Sequence, residues 1–375
     1  MMTRKITRRD FVKTTGLIGV SLLTTGFHAL GQEGTSSSSK CLIGESKLET
    51  FANNVRSGGV PPDGIPSIDE PVYVSAEEAE EALGDLLKDD SVVFGLNYAG
   101  TKITYPQIIM VWHEIVNEEI NGDQLSVTYC PLTGTAVGFR GKVAGETSEF
   151  GTSGKLLNSN LVMYDRATGT DSYWPQILGR SVQGPNLGDR LDNFPVIWTT
   201  WGRWKNKHPD TSVLTSDTGY IRSYGNDPYG SYRQENTYYQ EGQPMFNVLE
   251  ESDRYPQKKV VVGIKVKDCA LAVPKSEFRS VGLAQTELGG EPILIVYEEA
   301  LDAIRAYSRI VAGETREFAR EGGNLVSQPD GTTWEMTGEP VDGPLSDQTL
   351  EPVPFFDAMW FSWYAFYPET EILEV

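Results

Sequence analysis

The sequence predicts an α+β fold of mostly antiparallel strands with short helices, built as two tandem copies of one unit in a pseudo-symmetric arrangement. Three observations lead there. Apolar residues alternate with polar ones over short runs bounded by glycine, proline and asparagine, the period of half-buried strands. A self-match runs through most of the chain without a gap until late. Prolines stand where a strand gives way to a helical turn, the position at which a missing N–H costs least.

In chain order, Val92–Asn97 and Lys102–Tyr105 read as strands paired around Ala99-Gly100, with a helix opening at Pro106. Leu125, Val127 and Tyr129 alternate as a strand, Pro131-Leu132-Thr133-Gly134 turns, and Ala136–Arg140 returns. Leu161–Asp165 and Thr170–Trp174 flank the turn Arg166-Ala167-Thr168-Gly169. At an offset of 168 residues, Val92-Val93-Phe94-Gly95-Leu96 matches Val260-Val261-Val262-Gly263-Ile264, and Val143-Ala144-Gly145-Glu146-Thr147 matches Val311-Ala312-Gly313-Glu314-Thr315. After a nine-residue deletion the offset is 159, pairing Trp201 with Trp360, Trp204 with Trp363 and Pro209 with Pro368. The organisation is a signal segment at 1–31, a linker and lead-in at 32–79, a first unit at 80–214, a Gly, Asn and Tyr-rich crossover at 215–257 and a second unit at 258–375. Residues kept in both copies answer a shared structural demand, so Trp174 with Trp334, Trp201 with Trp360 and Trp204 with Trp363 are assigned to the core.

Charge narrows the partners. With 52 acidic against 32 basic residues the net charge is −20, which repels phosphate backbones and anionic headgroups and argues against nucleic acid. Acidity spread along the chain suits the hydrated surface of a halophilic protein. Thr7-Arg8-Arg9-Asp10-Phe11-Val12-Lys13, followed by the short apolar run Leu17–Leu23, reads as a twin-arginine export signal, implying an extracellular or cell-surface protein. No later segment has the roughly 18 apolar residues of a membrane span. A serine-rich linker, Gly34–Lys40, follows, and Cys41 at its end is a candidate lipid attachment point in a poor sequence context.

Chemically versatile residues concentrate in the first copy. His113, His208 and Cys130 have Val281, Tyr367 and Glu298 as counterparts, and the deletion removes most of the match to Gly151–Asn160. Two imidazoles and a thiolate form a soft donor set suited to copper or zinc, with Met163 as a weak thioether. The same residues support a second reading: Cys130 as nucleophile, His113 as base, and Glu114 or Asn117 orienting it, in a hydrolase or transferase. A third is a noncatalytic surface module with a cleft between the copies for a small molecule, glycan or envelope partner. Enzyme and binding protein both stay open. Structural alternatives also stand: a buried Cys130 or a Cys130–Cys269 disulfide, and His208 at a helix end, where a cation meets the dipole. Asp165, Asp171 and Asp227 could serve as general acid or base or bind a hard cation, and turn-capping is the preferred reading.

Tyr129-Cys130-Pro131-Leu132-Thr133-Gly134-Thr135-Ala136, His113-Glu114-Ile115-Val116-Asn117, Gly154–Asp165, Trp201–Pro209 and Asp227-Pro228-Tyr229 together resemble the domain of unknown function 3179 family. The resemblance runs from about Gly95 to Leu373. It implies an exported or envelope-associated prokaryotic protein and carries no settled activity. Many relatives have a second cysteine where this chain has Thr133, so the departure weakens a dithiol role and leaves Cys130 acting alone.

Overall fold

The computed structural model describes residues 43–167 and 172–375. The proposed export signal, the serine linker, Cys41, Thr168 and Asp171 lie outside the described residues. The described chain is mostly antiparallel β-sheet with a few short helices, as the alternation predicts. Among the described residues no helix is long and apolar enough to cross a membrane.

The same succession of elements occurs twice. Val92–Tyr98 pairs with Thr101–Pro106, and Val260–Val266 with Cys269–Pro274. Each hairpin leads into a short helix, Gln107–Met110 or Lys275–Val281. A three-strand meander follows, Ile115–Ile120, Asp123–Cys130 and Thr135–Arg140 first, then Leu283–Leu288, Glu291–Glu298 and Ala303–Ser308. Each of these elements begins 168 residues after its counterpart. Ala99 and Gly100 both have positive φ, the geometry of a tight hairpin turn whose twist suits the flanking strands.

The next hairpin is where the halves diverge. Phe150–Leu157 with Asn160–Asp165 is answered by the shorter Glu317–Glu321 with Asn324–Gln328, because the deletion falls there. Each half then returns a strand to its first sheet, Ile197–Thr200 beside Val92–Tyr98 and Phe355–Met359 beside Val260–Val266. A helix comes next, Trp201–Lys207 or Trp360–Phe366.

Each of these helices lays a tryptophan on a glycine. A Cβ on Gly95 would lie 2.2 Å from the Trp204 ring, and one on Gly263 2.0 Å from Trp363, so only glycine admits the indole. All six paired tryptophans are essentially fully buried, as their assignment to the core requires. One continuous apolar cluster includes Leu96, Trp204, Ile264, Ile293 and Phe355, which makes the core common to both halves. Hydrogen bonds join the halves directly. The Thr199 hydroxyl donates to the Leu301 carbonyl at 2.6 Å, while the Met359 N–H donates to the Thr133 carbonyl at 2.9 Å.

The crossover has no regular strand or helix and packs over the first half and against Met359 and Phe361 of the second. Tyr238 donates to the Leu132 carbonyl at 2.7 Å, Ser159 to the Phe246 carbonyl at 2.6 Å, and the Leu249 N–H to Asn158 Oδ1 at 3.0 Å. Asn158 also donates to the Ala365 carbonyl at 3.0 Å. The segment that the second copy lacks therefore anchors the crossover and the last helix.

Candidate functional site

Cys130 ends its strand in a fully enclosed position. Its Sγ accepts the Leu161 N–H at 3.3 Å and faces the Ser159 carbonyl at 3.9 Å. The thiol is free, and Cys269 is disulfide-bonded, so the two are not joined to each other. Burial pushes the Cys130 thiol up to about 12, with the Glu114 carboxyl adding to the rise. A thiol held protonated in this way is neither a ready nucleophile nor a ready metal ligand.

His113 lies in the turn after the one-turn helix Gln107–Met110 rather than on a helix, because Glu114 takes a left-handed φ of 59° that stops helical propagation. Its Nδ1 is 2.8 Å from the Pro66 carbonyl, which can only accept, so Nδ1 carries the proton. Nε2 then accepts from the Tyr224 hydroxyl at 2.6 Å, and Tyr224 bonds Thr218 at 2.6 Å. Both ring nitrogens are engaged, and burial lowers the imidazole below its ordinary value. The bonds fix a neutral ring that ties the crossover to the first half.

His208 stands elsewhere, its ring 4.3 Å from that of Trp204 in a cavity with Arg305 and Tyr307. Burial first, then Lys207 and Lys102, depress it to about 4, so it is neutral and does not act as a cation on the helix dipole. Glu298, the counterpart of Cys130, is a buried carboxylate bonded to Lys207 and Arg305, both at 2.6 Å. Met163 shares the apolar cluster of Cys130 and is buried in register with Trp174. Among the described residues no three His, Cys, Asp or Glu side chains converge in a way that could hold a metal ion. With both His113 nitrogens engaged, the Cys130 thiol protonated and His208 in a different cavity, the set His113, Cys130, His208 and Met163 does not fit copper or zinc.

The acidic residues are structural by their contacts. Asp165 accepts the Trp174 indole N–H at 3.1 Å, and Asp227 caps the Tyr229 N–H at 2.8 Å while accepting from Gln107 and Tyr239. Asn117, suggested as an orienting amide, donates to Asp69 and the Phe150 carbonyl. Glu114 is 7% exposed, and burial raises its carboxyl to about 8.

The structure brings together a different set. A cavity of about 450 Å³ opens between the halves under the crossover. Its walls include residues that the offsets pair, Val92 with Val260 and Thr200 with Met359. One side is aromatic: Trp198 meets Tyr232 edge to face at 5.1 Å, and Tyr232 stacks on Tyr239 at 3.8 Å. The other is charged, with Lys275 bonded to Asp357 at 2.8 Å and Arg279 bonded to Asp302 at 2.8 Å. These four stand where the first copy has Gln107, Trp198, Val111 and Gly134. The second copy gains these charges while it lacks His113, Cys130 and His208, and that gain is the sequence signal for this site.

No curated protein and no solved structure matches the chain. The family model described as protein of unknown function (DUF3179) matches residues 62–370, a span that holds Cys130, His113, the crossover and every wall of the cavity. On that match the chain belongs to the DUF3179 family.

Proposed function

We propose that this protein is an exported, noncatalytic binding module that holds a small molecule in the cavity between its halves. The observation that carries the reading is the cavity itself: about 450 Å³, walled by aromatic rings on one side and convergent polar groups on the other, the make-up of small-molecule sites. Export rests on the arginine pair and the apolar run in the first 31 residues. Cys130 and His113 support this reading by what they lack, since the thiol is protonated and the imidazole is committed to Pro66 and Tyr224. His113 ties its turn to the crossover through Tyr224, while Cys130 joins its strand end to the neighbouring hairpin through the Leu161 N–H.

The test is a thermal-shift screen of small molecules against the wild-type chain, repeated on Trp198→Ala and Cys130→Ser. Stabilising compounds are expected to lose their effect in Trp198→Ala and keep it in Cys130→Ser. The opposite pattern would return the site to Cys130.

A further inference from the structure

The cavity wall is cationic in a chain that is otherwise strongly anionic. Five basic side chains line it, Arg203, Lys258, Lys259, Lys275 and Arg279, against the carboxylates Asp302 and Asp357. Lys275 and Arg279 are matched by those two carboxylates, and Lys259 is matched by Glu277.

Arg203 and Lys258 are left over. Arg203 donates to the main-chain carbonyls of Glu299 at 2.7 Å and Ala300 at 3.3 Å. Among the described residues no carboxylate pairs with it. Lys258 is 8% exposed, and its Nζ has no hydrogen-bond partner among the described residues. The amine rests 3.3 Å from the centre of the Tyr238 ring and 5.0 Å from that of Phe361. Ring faces favour an ammonium but provide no acceptor for its protons, and a buried amine without an acceptor is costly to maintain.

Resting on the reading of this cavity as the ligand site, we propose that it binds a ring-bearing organic acid. The ring of the ligand lies against Trp198 and Tyr232, and its carboxylate, or a sulfonate that mimics it, is drawn to Arg203 and Lys258. Flat rings gain from edge or face contact with exposed indole and phenol faces. An anion supplies the counter-charge that the wall lacks, and charge-assisted bonds to a guanidinium are among the stronger polar contacts. Burial lowers the Lys258 amine to about 7, and a bound acid restores its charge. A cationic ligand would meet the unmatched Arg203 guanidinium, would disfavour the charged form of Lys258, and would find the carboxylates already paired.

The experiment compares two fluorescent probes on the full chain, 8-anilinonaphthalene-1-sulfonate and its neutral counterpart N-phenyl-1-naphthylamine. The sulfonate is expected to bind at least tenfold more tightly. Arg203→Gln, at an exposed position, should weaken the sulfonate several-fold and leave the neutral probe unchanged, with Lys258→Met acting in the same direction. Trp198→Ala should weaken both. If Arg203→Gln leaves the sulfonate unaffected, or both probes bind equally, the anion preference is overturned while the cavity stands. If Trp198→Ala alters neither probe, the cavity reading falls as well.

Discussion

Replacing Glu114 with glutamine tests whether the structure places a protonated carboxyl beneath the crossover. In the unfolded chain this group titrates near 4.5, and burial raises it to about 8 in the folded one. Folding therefore retains a proton that the unfolded chain releases between those values. The stability associated with Glu114 is fully present below pH 4.5 and is lost as pH rises through 8. A shift of 3.5 pKa units at 1.36 kcal/mol each corresponds to about 5 kcal/mol. Glutamine has nearly the same shape and no charge to desolvate, and it inherits the same backbone φ. Wild type and Glu114→Gln should thus be similar in unfolding free energy from denaturant titration at pH 4, with the variant pulling ahead as pH rises to 9 by an amount approaching that figure. Cys130 remains protonated throughout this window, and other titrations cancel in the difference. A gap independent of pH, or one that widens toward acid, would refute a buried neutral Glu114.

Further outcomes follow from the same contacts. Gly95→Ala and Gly263→Ala each force a Cβ into an indole ring and should each cost at least about 1–3 kcal/mol in equilibrium unfolding; a neutral effect at either would mean that the helix tryptophans are not seated there. Cys130 should resist iodoacetamide in the native state and react only at the rate of unfolding, whereas rapid labelling would show an accessible thiolate. Tyr224→Phe leaves the His113 Nε2 without its donor and should cost about 1–3 kcal/mol, together with faster proteolysis of the crossover. Elemental analysis of protein exported by its own route should give the same metal content for wild type and Cys130→Ser; near-stoichiometric copper or zinc lost in the variant would establish the metal site that the side-chain geometry does not support.

Strand alternation and turn residues made the hairpins legible because each is a local preference written in contiguous sequence. Ala99-Gly100 and the turn at Pro131–Gly134 fall where they were expected, and the paired tryptophans are buried, Trp204 and Trp363 on the glycines beneath them. His113 was harder to place. Its chemistry depends on Pro66 and Tyr224, 47 residues before it and 111 after it, and no spacing rule reveals such partners. Cys130 looked reactive because thiols can be, while its enclosure is a property of the assembled core. The cavity was legible only in retrospect, since Lys275, Arg279, Asp302 and Asp357 are ordinary charges in an acidic chain until the fold sets them across from Trp198. The crossover shows the same limit: its tyrosines announced packing but not which half they would cover.

The most direct test of the central claim is hydrogen exchange read by mass spectrometry with and without 8-anilinonaphthalene-1-sulfonate. Binding in the cavity predicts added protection at 197–203, 230–240 and 258–260, with 113–117 and 158–163 unchanged. Protection centred on 113–117 and 158–163 instead would contradict the account and make the Cys130 region the functional site.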